Sequence, residues 1–159
     1  VTNLTATIGC KDDSPCALKR ILSHVAEEKG VPLILMYAVA WTESSWNQWK
    51  SDGRTLISST DDYGLMQLSR RMWQTRYDWN AISGDTLYNA RAGADVIKWS
   101  YDYARRRGFT GVNLLKAAYA VYNGGPSAIN RPFRQRDVRD TNFNRNATTS
   151  PWASSLQSC

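Results

Sequence analysis

The sequence predicts an all-α fold, with room for only a small strand component. Apolar residues recur at three- and four-residue steps along several stretches, and Pro, Ser, Asp or Gly punctuates the ends of those stretches. Neither an internal repeat nor an interdomain linker divides the chain. At 159 residues, with 42% apolar and 21% charged content, residues 1–159 read as one single-lobe domain with its own core.

Ser14-Pro15 opens the first helix, since proline in a first turn gives up no hydrogen bond the helix needs. Ala17, Leu18, Ile21, Leu22, Val25 and Ala26 then share a face, and Gly30 ends it. The second helix begins at Pro32 and is apolar on every side to Trp41, which marks it as the central helix of the core. Residues 50–63 are polar and turn-rich and predict a loop with space for a short hairpin. A short helix is expected around Arg70–Tyr77. From Asp85 to about Arg107, Leu87, Ala90, Ala94, Ile97, Tyr101 and Ala104 trace a long helix that Gly108 closes. Val112–Tyr122 forms another, cut by Asn123-Gly124-Gly125-Pro126. After Pro132 the periodicity fades, and the remainder reads as a polar extension anchored by Phe133, Phe143 and Trp152.

Net charge is +6 with a pI near 9.4, and the excess is mostly arginine in the second half. A surface of that sign favours anionic partners, although a merely solvated face is the plainer reading of any single patch. Nothing resembles a zinc finger, an RNP motif or a basic heptad helix, so no nucleic-acid partner is expected. Cys10, Cys16 and Cys159 lie near the chain ends and suit a terminal staple. One pair can form in three ways and leaves one thiol over; any disulfide implies an oxidising compartment. With His24 the sole histidine, no metal site is expected, and no cofactor. The longest apolar run, residues 31–41, is far below the ~20 residues that cross a bilayer, so no membrane span is expected. No secretory leader is visible, and a chain opening on Val1 is expected to start after a removed segment or at an imposed boundary.

Glu43 stands apart. It follows the most apolar stretch of the chain and begins the run Glu43-Ser-Ser-Trp-Asn47. Burial disfavours a charged carboxyl group, and so does the negative end of a helix dipole. Both would keep Glu43 protonated near neutral pH, as a general acid must be. The alternative is an ordinary solvated acid at a helix end.

Three motifs line up with it in order: Glu43-Ser44, then Gly64-Leu65-Met66-Gln67, then Ala118-Tyr-Ala-Val-Tyr122-Asn123-Gly124-Gly125-Pro126. Over residues 16–130 this set resembles the lysozyme-fold lytic transglycosylases of the soluble "SLT" type, and is similar also to goose-type lysozymes. The resemblance implies a lysozyme-like fold with a groove for peptidoglycan glycan strands, and Glu43 as the catalytic acid. It implies that Ser44 orients substrate or the carboxyl group, and that Gly64, Leu65, Met66 and Gln67 line the groove. In that scheme Gly64 permits close backbone approach, Met66 forms an adaptable apolar wall and Gln67 supplies amide contacts. Tyr122 and Asn123 match the family's Tyr-Asn pair, with the tyrosine hydroxyl beside the acid.

Members of this family cleave the β-1,4 bond between N-acetylmuramic acid and N-acetylglucosamine with one carboxyl group, closing a 1,6-anhydro ring. Goose-type lysozymes instead place a hydrolytic water with further acids. Asp61 and Asp62 are candidates for such a second acid, or else loop solubility residues. The family's other acidic position, two residues past Gln67, is Ser69 here, which sets transglycosylation ahead of hydrolysis as a muramidase. Trp41, Trp46, Trp49, Trp73 and Trp79 gather near these motifs in sequence, with Trp46 and Trp49 the candidates for stacking on sugar rings. A silent glycan-binding module is the competing class, since a fold alone fixes no activity. The expectation is a monomer working in the periplasm or outside the cell. An antibacterial effector held by a proteinaceous inhibitor or immunity protein is the alternative to a housekeeping enzyme.

Overall fold

Helices dominate the computed structural model, which describes residues 14–157 and 159. In chain order these are α1 (Pro15–Lys29), α2 (Leu33–Ser44), α3 (Arg70–Trp73), α4 (Trp79–Gly84), α5 (Thr86–Arg106), α6 (Gly111–Gly124), α7 (Arg131–Arg134) and α8 (Val138–Thr149). Single 3₁₀ turns follow at Pro126–Ala128 and Ala153–Leu156. Between α2 and α3 lies a two-stranded antiparallel sheet, β1 (Asp62–Tyr63) with β2 (Leu68–Ser69), in which Asp62 faces Ser69 and Tyr63 faces Leu68.

The ends of these helices follow from their capping chemistry. Ser14 Oγ accepts the Ala17 N–H, and Gly30 takes the left-handed conformation that closes α1. Asp85 accepts the Tyr88 N–H at the start of α5, and Asp78 accepts Asn80 and Ala81 at the start of α4. The central helix is α2, which buries Leu35 through Ala40 without a break. It packs against α1 on one flank and α8 on another, while α5 lies against both α1 and α6. The helix anticipated over residues 70–77 is shorter, Arg70–Trp73, and α4 was not anticipated.

The C-terminal third differs most from expectation. Residues beyond Pro132, read as an anchored polar extension without a helix, form one: α8 starts on an Asp137 side-chain cap and packs across α2. Phe143 is buried and stacks on Tyr119 with centroids 4.5 Å apart, and Asn146 Nδ2 donates to Thr42 Oγ1 at 3.0 Å. Trp152 closes an aromatic cluster with Tyr37, Trp41 and Trp46. The buried residues of α8 are Asp140, Phe143 and Asn146, two of them polar, so hydrophobic periodicity does not reveal the helix. A disulfide joins Cys16 in α1 to Cys159; Cys10 lies outside the described residues. No helix among the described residues is long and apolar enough to cross a membrane.

Candidate active site

Glu43 occupies the last turn of α2, just before Ser45 and Trp46 turn the backbone through left-handed φ values of 53° and 61°. Non-glycine residues adopt that conformation at a cost of about 1–3 kcal/mol, and it recurs at Asp61 and Gln67 on the facing loop. The backbone is thus strained on both sides of one carboxyl group. Glu43 is partly buried, and Tyr119 Oη donates to its Oε1 at 3.0 Å. Burial pushes its pKa up from an ordinary 4.5 to about 7. The negative charge of Asp62 adds to that rise, while the Tyr119 hydrogen bond, the neighbouring Asn123 amide and the charge of Arg139 oppose it.

The turn opposite Glu43, Gly64–Gln67, is held by buried amides. Gln48 Oε1 accepts the Leu65 N–H at 2.8 Å, and Asn89 Oδ1 accepts the Met66 N–H at 2.9 Å. Their amide nitrogens go to backbone carbonyls of Ile82, Ser83 and Tyr63, so the two interior amides are well satisfied. Gly64, at φ 73°, makes room for them, because a Cβ there would collide with both.

A cleft of about 560 Å³ opens above Glu43. Asp62, Gln67, Tyr122 and Asn123 are among the residues that line it. Asp62 Oδ2 accepts the Ser58 and Thr60 hydroxyls, and Gln67 Nε2 donates to the Gly64 carbonyl at 2.9 Å. Trp73 and Trp99 supply the aromatic wall.

Other expected positions fall elsewhere. Ser44 Oγ donates to the carbonyls of Leu65 and Ala40, at 2.6 and 3.1 Å, and accepts the Asn47 N–H; it clamps the facing turn to α2 rather than touching the carboxyl group. The side chains of Leu65 and Met66 are fully buried, and Met66 fills the space left by Gly93, so neither forms a groove wall. The close approach that Gly64 permits is to Gln48 and Asn89, not to the cleft. Trp46 is buried, its ring stacked on Trp152 and edge-on to Tyr37 and Trp41, which leaves it no face for a sugar. Trp49 pairs with Thr55 across the loop and does not line the cleft. Asp61 is exposed and also lies off the cleft. The hydroxyl bonded to Glu43 is that of Tyr119, whereas Tyr122 Oη, one turn on, donates to the Met66 carbonyl at 2.5 Å.

Tyr119, Trp99, Gln48 and Asn89 escape a reading of the sequence. Tyr119 lies within the quoted Ala118–Pro126 motif, where its three-residue offset from Tyr122 is the available signal. The chain also bears on its relatives as a whole. A family model described as "Transglycosylase SLT domain" matches residues 21–144. No curated protein matches, and no solved structure does.

Proposed function

The chain belongs to the transglycosylase SLT domain family, enzymes that cleave glycosidic bonds of peptidoglycan, and from that premise we propose a one-carboxyl mechanism centred on Glu43. The proton of Glu43 passes to the bridging oxygen as the bond to C1 of N-acetylmuramic acid breaks. The carbonyl oxygen of the neighbouring N-acetyl group closes onto C1, and N-acetylglucosamine leaves as the alcohol. Glu43, now a carboxylate, takes the proton of the sugar's own 6-hydroxyl as O6 attacks C1. The acetamido oxygen departs, leaving the 1,6-anhydro product and a reprotonated acid.

One observation carries this reading: Glu43 sits at the cleft with its pKa raised to about 7, so both its acid and its base forms are accessible near neutrality. The Tyr119 hydrogen bond and the neighbouring Asn123 amide both favour the ionised form. The Cys16–Cys159 disulfide supports a working place outside the reducing cytoplasm.

Asp62 gives hydrolysis its foothold, since it lines the same cleft and its charge is felt at Glu43. Against it, one Asp62 oxygen is already engaged by two hydroxyls, and the position two past Gln67 is Ser69. Mass analysis of muropeptides released from purified sacculi decides between them. The expected product is lighter by one water than the reducing sugar, and Glu43→Gln is expected to release product more slowly by about 10²–10⁴-fold. A reducing-end product would transfer the reaction to hydrolysis with Asp62 as base. A fully active Glu43→Gln would remove the assignment of the acid.

A further inference from the structure

Arg131 is a buried cation that the proposed chemistry leaves unused. Only 8% exposed, its guanidinium donates through Nε and Nη2 to the Asp140 carboxylate at 2.7 and 2.9 Å. Asp137 stands 3.7 Å away, and Nη1 donates to Asn123 Oδ1 at 3.0 Å. A buried ion pair contributes little net stability compared with well-packed apolar residues of the same volume. Its geometry therefore calls for another reason, and the reason lies at Asn123.

A side-chain amide can turn either its oxygen or its NH₂ toward a neighbour, whereas a guanidinium has donors alone. Nη1 thus captures the Asn123 oxygen and leaves the NH₂ for Glu43, which lines the same cleft and whose ionised form Asn123 favours. Gly124 fits the same arrangement: a Cβ there would sit 3.0 Å from Arg131 Nη1 and 2.8 Å from the Ala128 Cβ. The first glycine of the Asn-Gly-Gly run clears the path of the guanidinium.

We propose that Arg131, clamped by Asp140, is a positioning residue that locks Asn123 as a donor toward Glu43. The carboxylate left by proton transfer then meets two fixed donors, the Asn123 amide and the Tyr119 hydroxyl, with no reorganisation at that moment. Without the clamp, Asn123 can turn its oxygen to the protonated carboxyl group and favour retention of the proton. The inference rests on Glu43 being the acid. Its other neighbours, Tyr119 and Tyr122 from α6, Asp62 from β1 and Arg139 from α8, stay unchanged in the variants below.

The test compares Arg131→Gln, Arg131→Lys, Asn123→Ala and the double variant Asn123→Ala/Arg131→Gln, with kcat and KM on soluble glycan strands measured across the pH range. Each single variant is expected to lose about tenfold or more in kcat with KM within about twofold. Losing a donor to the carboxylate raises the pKa of Glu43, so the alkaline limb moves to higher pH. The double variant is expected to be no slower than Asn123→Ala alone, as for two residues acting through one contact. Arg131→Lys keeps the charge but not the forked geometry, and decides the matter if Arg131→Gln does not fold. Wild-type kcat and an unmoved limb in a folded Arg131 variant, or additive losses in the double, would overturn the proposal. A fully active Glu43→Gln would instead sink the assignment on which it rests.

Discussion

Glu43 is held where its charged form is disfavoured, and that has a thermodynamic signature. The unfolded chain releases this proton near pH 4.5, while the folded protein keeps it until about pH 7. Between those values the unfolded state binds fewer protons, so stability falls as pH rises and levels off above 7, a loss of about 3 kcal/mol. Glu43→Gln lacks the titrating group and is expected to gain on the wild type across that window, as urea unfolding on either side of it would reveal. Parallel pH profiles of stability would contradict the burial of this acid. Glu43 was legible because a carboxyl group after an unbroken apolar run is physically anomalous. Tyr119 was not: residues 119 and 122 lie on one helical face, and spacing cannot say which hydroxyl meets the acid. Ser44 and Met66 belong to the motifs for a scaffolding reason, holding the facing turn, which a motif viewed as a string does not disclose.

At the scale of elements, α8 supports the site from behind. It presses Phe143 flat against Tyr119, and it brings Asp140 to the arginine that bonds Asn123. Phe143→Ala is expected to cost about 3–5 kcal/mol of stability and also to lower turnover under conditions where the variant remains folded. Thermal melting paired with kcat checks this; a destabilised variant with undiminished kcat would make α8 a mere prop. Helices α1, α2, α5 and α6 were readable because each buries a continuous apolar face with recognisable ends. Helix α8 was not, since its buried positions mix Phe143 with the polar Asp140 and Asn146, a pattern to which hydrophobic periodicity is blind. The same blindness misplaced Trp46. Its ring partner Trp152 is 106 residues away in the chain, and no local pattern announces that stack.

For the molecule as a whole, the decisive tie is the disulfide between α1 and residue 159. A ring of 143 residues restricts the unfolded chain severely, and Cys16→Ser or chemical reduction is expected to cost about 2–5 kcal/mol. Unfolding in urea with and without reductant measures it; an unchanged midpoint would show that packing alone holds the chain end. The sulfur that Cys16 needs is synthesised 143 residues after it. No ring can therefore shut while the polypeptide is still being elongated toward that point. Oxidation thus waits until both partners have been made, and it then ties the opening helix to a residue far along the chain.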